Sequence, residues 1–200
     1  MAEDQGSYAY LTFVTSNPNK VTEVRQILRD FSIAFEHLNL KYPEIQSSSL
    51  RKIASVSVRY LHKKLKRPLF IEDSGLFIDA LGGFPGPYSS YAQKTIGNSG
   101  ILKLMSSIRH RTARFESVIA YVGTGCDVCL FSGIAEGSIS LEARGVRWGF
   151  DPIFIPHGSR QTFSEMGPEG KRKVSHRRIA VEKFGIWARE RTDRAVNSFR

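Results

Sequence analysis

Two adjacent carboxylates, Glu72 and Asp73, follow the apolar run Leu69 to Ile71. The run predicts a buried strand that stops at Ser74 and Gly75, and alternation along that strand sends the two carboxylates to opposite faces. Acidic residues are depleted in strands, whereas the carboxyl ends of strands in open α/β sheets bind ligands. The pair is therefore either a solvated strand end or a Mg²⁺ site with a base beside it, because hard cations bind carboxylate oxygens.

The loop after this strand, residues 81–88, reads Leu-Gly-Gly-Phe-Pro-Gly-Pro-Tyr. Proline fixes the backbone angle φ, and the loop is more rigid and more apolar than an ordinary linker. It is predicted to form a wall of a pocket or of an interface.

The first predicted strand covers residues 8–15, and the turn at its end carries groups suited to binding an anion. Thr15, Ser16 and Asn17 supply side-chain donors, and Lys20 adds a cation in the first turn of the following helix. Free backbone N–H groups at a helix start also point towards an anion, and either Ser16 or Asn19 is expected to cap this helix. A lysine there opposes the helix dipole, which favours a bound anion. The alternative is a plain strand-to-helix turn with a surface lysine, and the P-loop pattern G-x-x-x-x-G-K-[ST] is absent.

A second group with a clear chemical meaning is Trp148, Gly149, Phe150 and Asp151. Aromatic faces stack on bases, and a carboxylate accepts hydrogen bonds from ring N–H groups. The glycine between the two rings lets a flat ligand approach. The group predicts a base-binding turn or, alternatively, a buried turn whose rings fill the core.

A basic stretch, residues 171–178, carries five lysine and arginine side chains and one histidine. It is predicted to open the last helix, with Ser175 as the N-cap. Cations at a helix N-terminus oppose the dipole, so Lys171, His176 and Arg177 are interpreted as partners of an anion or of base carbonyls. The alternative is a solvated basic turn.

Cys126 and Cys129 form a lone C-x-x-C. A zinc site needs a second pair of ligands, and the sequence has no other cysteine. Redox motifs of this type begin a helix, whereas this one lies in a predicted hairpin. A structural role is predicted.

The elements that position these groups alternate between strand and helix in the first half of the chain. They end with a hairpin and a helix, which is typical of an α/β fold with a mixed sheet. No linker divides the chain, so residues 1–200 are predicted to form one domain with two lobes, and residues 192–200 a loose basic tail. The other predicted elements are strands at 32–40, 69–73 and 153–155, an extended segment at 76–80, a helix at 50–66, a short helix capped by Asn98, a hairpin of 115–122 and 128–139, and a closing helix at 175–191.

Composition and charge exclude several classes of protein. A hydrophobic content of 41% and a charged content of 24% are typical of a globular chain, and no apolar run approaches the roughly 20 residues of a membrane span. The first residues lack the basic and apolar segments of a signal peptide, so a cytoplasmic location is expected. The net charge of +10 indicates a polyanionic partner such as a nucleotide, a nucleic acid or an acidic membrane.

Taken together, these stretches resemble the inosine triphosphate pyrophosphatase (ITPase)-like nucleoside triphosphatases, and archaeal members in particular. The resemblance runs from Thr12 to about Phe184, with every motif in the expected order. That order makes it more specific than any single motif. The matching segments are 15–20 with Glu23, 42–46, 72–76, 81–89, 149–154, 162–166, and Lys171 with 175–177.

The resemblance implies an elongated mixed β-sheet with flanking helices, two lobes around a central cleft, and a homodimer. It implies Mg²⁺-dependent hydrolysis of ITP, dITP and XTP to the monophosphate and pyrophosphate, an activity that cleanses the nucleotide pool, with Mn²⁺ as an alternative metal. One Mg²⁺ would be held by Glu44 and Asp73 with Glu72 close by, and Asp73 would accept the proton of the attacking water. Phosphate contacts are implied for Thr15, Ser16, Asn17, Lys20 and Ser74, and base contacts for Trp148, Gly149, Phe150, Asp151, Lys171, His176 and Arg177.

Two points follow from this assignment. A site so rich in cations is expected to keep Asp73 ionised at neutral pH. Either Trp148 or Phe150 stacks on the base, and the sequence leaves that choice open.

Two other functions would also account for part of the sequence. A nucleic-acid binder accounts for the net charge and the basic stretch, but it gives no reason for Glu44, Glu72 and Asp73, which repel phosphates in the absence of a metal. A pyrophosphatase for standard or pyrimidine triphosphates keeps the chemistry and changes the substrate. Neither a membrane nor a nucleic-acid partner is expected.

Overall fold

The computed structural model describes residues 11–123 and 126–197, with side chains described as far as Arg191. Tyr8 to Tyr10, the start of the first predicted strand, lie outside these residues. The fold is α/β, as predicted, with one mixed sheet of seven strands. The strands are β1 (Thr12–Val14), β2 (Glu36–Leu38), β3 (Leu69–Ile78), β4 (Pro85–Gly86), β5 (Thr112–Gly123), β6 (Cys126–Ile139) and β7 (Phe154–Pro156). The helices are α1 (Pro18–Arg29), α2 (Leu50–Leu65), α3 (Ser89–Thr95), α4 (Gly97–Leu104), α5 (Gly167–Val174) and α6 (His176–Asn197), with short 3-10 turns at Asp79–Leu81 and Asp151–Ile153.

The sheet is organised around β3. The strand order is β2-β1-β3-β5-β6-β7, in which β1 runs parallel to β2 and β3 and the later strands are antiparallel to their neighbours. On one side β3 pairs with β5 over its whole length. On the other side it pairs with β1 at Leu69 and Phe70 and with β4 at Leu76 and Phe77. Residues 71–75 therefore form an open edge of β3 between two neighbouring strands.

Alternation along β3 directs the two carboxylates as predicted. Phe70 packs in an apolar cluster with α1 and α6, and Ile71 packs in a second cluster with α2 on the other face of the sheet. Glu72 continues the first face, where it contacts Lys20 of α1. Asp73 continues the second face.

The prediction that this strand stops at Ser74 and Gly75 is wrong. β3 continues to Ile78 in unbroken register with β5. Gly75 is required for the close approach of two strands rather than for a turn, because a Cβ built there would lie 2.3 Å from the carbonyl oxygen of Gly86. The glycine therefore lets β4 approach β3 at the end of the open edge.

The ends of two helices differ from the sequence interpretation. Asn17, and neither Ser16 nor Asn19, caps α1, with its side-chain oxygen accepting from the backbone N–H of Asn19. Asn98 was predicted as a cap but lies inside α4, and its side chain reaches Gly149 instead. By contrast, the helix predicted at 50–66 is confirmed as α2 with Ser49 as its N-cap.

The basic stretch does not open a single helix. Lys171 lies in the last turn of α5, which the sequence analysis missed, where a cation is favoured by the helix dipole. Ser175 separates the two helices and accepts a hydrogen bond from the backbone N–H of Arg178, as predicted for the N-cap of α6. The unfavourable interaction with a helix dipole, which was inferred for all the cations of residues 171–178, therefore applies only to those after Ser175.

The predicted hairpin is confirmed as β5 and β6. The structure joins Cys126 and Cys129 in a disulfide, a pairing that the sequence analysis did not foresee. The predicted strands at 32–40 and 153–155 are shorter or shifted, as β2 and β7. Helix α6 continues through most of the segment predicted as a loose tail, and residues 198–200 lie outside the described part. No helix in that part is long and apolar enough to cross a membrane.

Candidate functional site

A cleft of about 580 Å³ lies along the open edge of β3. The turn after β1, the segment before α2, helix α3, the aromatic turn before β7 and the start of α6 all contribute to its walls. The cleft brings together every residue predicted to bind substrate or metal: Thr15, Ser16, Asn17, Lys20, Glu44, Glu72, Asp73, Ser74, Trp148, Gly149, Phe150, Asp151, Lys171, His176 and Arg177. Pro87 of the rigid loop also lines it, as expected for a loop that walls a pocket.

Glu72 is the centre of a buried ion-pair network. Its side chain is fully buried, with Lys20 Nζ 2.9 Å from Oε2 and Arg177 Nη2 3.1 Å from Oε1. The hydroxyl of Ser117 donates to Oε1 at 2.6 Å. Burial opposes the charge of this carboxylate, but the positive charges of Arg177 and Lys20 outweigh that effect and hold the pKa of Glu72 well below its usual range.

This network argues against a direct metal contact for Glu72, which was expected at the Mg²⁺ site with Glu44 and Asp73. Each carboxylate oxygen already faces a protein cation, and Oε1 also accepts from Ser117. A metal ion would have to displace these partners from a buried position, which is strongly unfavourable for the charges left behind. Glu72 instead fixes Lys20 and Arg177, which come from opposite ends of the chain.

The turn after β1 presents its polar groups at the rim of the open edge. Lys20 Nζ donates to the main-chain oxygen of Glu72 at 3.0 Å in addition to the side-chain contact. The hydroxyl of Thr15 accepts from the backbone N–H of Asn17, and Ser16 is exposed. The lysine that opposes the helix dipole is therefore partly neutralised by a protein carboxylate, with about a sixth of its side chain still exposed.

Asp73 lies on the other face of β3, near Glu44 and Tyr42. Burial, together with the negative charges of Glu44 and Glu72, raises the pKa of Asp73 to about 7, although Lys20 acts in the opposite direction. In the metal-free protein, burial and the neighbouring carboxylates therefore oppose the cations that were expected to keep Asp73 ionised. Burial and the same carboxylates also raise the pKa of the Tyr42 hydroxyl. Three acidic groups and a tyrosine therefore influence one another here, and Lys20 offsets only part of the effect of burial and of the carboxylates on Asp73.

Glu44 and Asp73 fit a divalent cation of the magnesium type. Within the described residues, no three histidine, cysteine or acidic side chains converge to form a complete metal cage. Mg²⁺ does not need one, because it commonly binds one or two carboxylates and completes its shell with water and substrate phosphates. Asp73 accepts a hydrogen bond from the backbone N–H of Ser74, but burial and the neighbouring carboxylates still raise its pKa, so a cation bound at this position would stabilise its charged form.

The other end of the cleft carries buried cations held by carboxylates. Lys171 Nζ lies 2.7 Å from Asp151 and 3.0 Å from Glu23. Arg177 also pairs with Glu23 and donates to the hydroxyl of Ser74 at 3.0 Å. Both cations lie close to the ring of Trp148, at 4.9 Å for the lysine ammonium and 5.6 Å for the guanidinium carbon. One rigid cluster therefore fixes two donors beside an aromatic surface.

His176 is buried between aromatic rings and stays neutral. Its ring stacks on Phe115 with centroids 4.6 Å apart and planes 11° apart. Burial and the charges of Arg177 and Lys171 push the pKa of His176 well below its usual value. Its Nδ1 atom is buried and has no hydrogen-bond partner among the described residues, so a neutral ring nitrogen is left for a ligand.

The two aromatic rings of the predicted base-binding turn have different environments. Phe150 is 4% exposed and belongs to an apolar cluster with Ile101 of α4 and with Met105, the residue after this helix. Trp148 is only half-buried and faces the two cations. Of the two rings, Trp148 offers the larger free surface in the cleft.

Several functional residues were missed by the sequence analysis. Glu23 was part of the resemblance but received no role, although it holds both Lys171 and Arg177. Ser117 has no local signal, since only the register of β5 against β3 brings it to Glu72. The further lining residues without an assigned role include Tyr42, Gly75, Ser89, Ser90, Gln93, Lys94 and Phe115.

Known proteins resemble the chain over nearly its whole length. The model of the Ham1 family matches residues 11–187. A dITP/XTP pyrophosphatase from Methanopyrus kandleri is 49% identical over 176 residues, which cover 88% of this chain and 94% of that protein. The dITP/XTP pyrophosphatase of Thermococcus kodakarensis is 45% identical over 181 residues, covering 90% of this chain and 97% of that protein.

Solved structures agree with the sequence comparison. A HAM1 protein from Coxiella burnetii superimposes with a TM-score of 0.79 at 30% identity, covering 90% of this chain and 98% of that one. The Staphylococcus aureus Ham1 protein gives a TM-score of 0.78 at 25% identity, with 90% and 99% covered. The resemblance predicted from the motifs is confirmed, and this chain belongs to the Ham1 family.

Proposed function

We propose that this chain hydrolyses deaminated purine nucleoside triphosphates, namely ITP, dITP and XTP, to the monophosphate and pyrophosphate. The observation that carries the proposal is the single cleft with two chemically different ends. One end holds Glu44 and Asp73 with Lys20 nearby, and the other holds buried donors beside Trp148. The relatives named dITP/XTP pyrophosphatases support the same substrate class.

The donors at the aromatic end favour a base with a carbonyl at carbon six. Lys171 uses two of its ammonium donors on Glu23 and Asp151, and the Nε atom of Arg177 is buried without a partner in the described residues. Hypoxanthine and xanthine present an acceptor to such donors, whereas the amino group of adenine presents another donor. A buried donor left unpaired costs about 1–3 kcal/mol, equivalent to roughly 5- to 150-fold in selectivity.

The carboxylate end suits attack by water on the α-phosphorus. The oxygen of water forms a bond to the α-phosphorus, the bond from that phosphorus to the bridging oxygen breaks, and pyrophosphate leaves. Asp73, which lines the cleft next to the proposed phosphate-binding residues, accepts the proton of the water. Lys20, with Thr15, Ser16, Asn17 and Ser74 around it, holds the phosphates and stabilises the charge that builds up in the transition state.

Mg²⁺ is the proposed cofactor, held by Glu44 and Asp73, with Mn²⁺ as an alternative. When bound, it would neutralise phosphate charge and polarise the bond to the leaving group. A role in binding nucleic acid is disfavoured, because the charges of Glu44 and Asp73 would repel a phosphate backbone.

The proposed assembly is a homodimer in the cytoplasm. The resemblance supports the dimer, and Phe84, Tyr88 and Tyr91 expose 40%, 46% and 71% of their surface, which gives an apolar face suited to a partner. Light scattering after size exclusion should give twice the monomer mass of 22.5 kDa. A monomer at micromolar concentration would refute the dimer.

The test of the activity is a panel of triphosphates with Mg²⁺, assayed for pyrophosphate and for the nucleotide product. ITP and XTP should give the monophosphate and pyrophosphate, with ATP, GTP and CTP hydrolysed much more slowly. Release of the diphosphate and orthophosphate would refute attack at the α-phosphorus. Equal rates on standard or pyrimidine triphosphates would favour the alternative substrate class.

A further inference from the structure

We propose that Asn98 is a positioning residue that holds Trp148 in place for base binding. This inference rests on the proposed function. The side-chain Nδ2 of Asn98 donates to the main-chain oxygen of Gly149 at 3.1 Å. That bond joins α4 to the aromatic turn, 51 residues later in the chain. Asn98 does not line the cleft, so its effect on a nucleotide must pass through the turn.

The aromatic turn is restrained mainly on the carboxyl side of Gly149, where Phe150 is buried and the main-chain oxygen of Asp151 accepts from the N–H of Ser164. Gly149 adopts a positive φ of 68°, and a Cβ added to it would meet nothing within 4 Å. The position that a Gly149 side chain would occupy is therefore open. The hydrogen bond from Asn98 is the contact that the structure provides to its carbonyl.

The two flanking rings depend on α4 in different ways. Phe150 is anchored by apolar packing on Ile101 and Met105 in the core. Trp148 is half-buried, and its described ring contacts are with the cations of Lys171 and Arg177. Loss of the bond to Gly149 should therefore leave Phe150 in place and release Trp148 from its position over the donors.

The chemistry of the amide makes the proposal specific. Only the Nδ2 donor of Asn98 is used, and Oδ1 is buried without a hydrogen-bond partner in the described residues. Asn98→Ala removes the donor. Asn98→Asp keeps the shape but places an acceptor against the carbonyl oxygen of Gly149, which is repulsive. The two variants should therefore differ, and the aspartate should be the worse.

The experiment measures KM and kcat for ITP, with Ser99→Ala in the same helix as the control. One hydrogen bond corresponds to about a 3- to 10-fold change. Asn98→Ala should raise KM by about that factor with kcat changed less than about twofold, and Asn98→Asp should raise KM further. Ser99→Ala should match the wild type.

A spectroscopic readout separates positioning from general damage. In a Trp187→Phe background, Trp148 is the only tryptophan, and its emission should change when IMP binds. Both Asn98 variants should reduce that change at saturating IMP while the unfolding temperature stays close to that of the background protein. Unchanged KM and unchanged emission would overturn the inference, as would a fall in kcat and unfolding temperature with KM unaltered. A wild-type protein that releases no pyrophosphate from ITP would instead overturn the proposed function.

Discussion

Replacing Glu72 by glutamine tests whether the buried network stabilises the fold. The substitution keeps the size of the side chain and an acceptor for Ser117, but it removes the negative charge that faces both Lys20 and Arg177. Arg177 is 1% exposed and keeps Glu23 as its other carboxylate partner. The main loss is thus the attraction of one fully buried carboxylate to two cations.

The expected magnitude follows from the burial of the pair. Removing one partner of a buried ion pair costs about 3–5 kcal/mol, because an uncompensated charge stays behind. Glu23 still neutralises Arg177, and Lys20 is partly exposed and keeps the backbone oxygen of residue 72. We therefore expect the lower end, a loss of about 3 kcal/mol in the free energy of unfolding at pH 7.

The pH dependence has a definite sign. The folded-state pKa of Glu72 lies below its ordinary value of 4.5, so its contribution is fully present above pH 4.5 and is lost as the pH falls towards the folded pKa. The difference between wild type and Glu72→Gln should shrink by about 1.4 kcal/mol for each pH unit below that value.

Equilibrium unfolding in urea at pH 7 and at pH 3.5 measures this difference. Glu36→Gln is the control, since Glu36 forms an exposed ion pair with Arg67 at 2.8 Å and should cost no more than about 1 kcal/mol. A loss below about 1 kcal/mol for Glu72→Gln at pH 7, or a loss that does not change with pH, would refute the reasoning.

Three further predictions concern the cleft. Asp73→Asn should lower kcat for ITP by about 10²- to 10⁴-fold while nucleotide binding stays measurable by calorimetry; a rate near that of the wild type would remove Asp73 from the role of proton acceptor. EDTA should abolish pyrophosphate release, and added Mg²⁺ should restore it; full activity in EDTA would contradict the cofactor assignment. Gly75→Ala should destabilise the protein by about 1–3 kcal/mol in thermal unfolding, because its methyl group would clash with the backbone of Gly86; Gly82→Ala, where nothing lies within 4 Å but φ is positive, tests backbone strain alone.

The sequence predicted the members of the site better than the elements that carry them. Residue types marked Lys20, Asp73 and Lys171 as candidates but left a structural alternative open for each, and it was the order of the motifs along the chain, through the family resemblance, that joined them in one hypothesis. The end of β3 was predicted wrongly because Gly75 looks like a breaker in the local sequence. The glycine is needed because the backbone of Gly86 lies against it, a contact that is visible only in the folded sheet.

Roles that depend on long-range partners could not be predicted. Glu72 looked like a ligand for a metal until the register of β5 and the start of α6 placed Ser117 and Arg177 beside it. Helix α5 was missed because its eight residues are mostly polar and show no apolar period, although Pro168 is a typical first helical residue. Asn98 was assigned to a local cap because a distant carbonyl leaves no trace in the sequence.

Because strand pairing is interrupted beside residues 71–75, insertions in the neighbouring strands can affect this cleft as much as substitutions in it. An open strand edge offers main-chain polar groups that no point substitution except one to proline removes. Lys20 already uses the oxygen of residue 72, and the N–H of Ser74 bonds to Asp73. Part of the surface of the cleft therefore depends on the short length of β1 and β4 and not on side chains. An insertion that lengthened either strand would seal the cleft even if every side chain named above were retained.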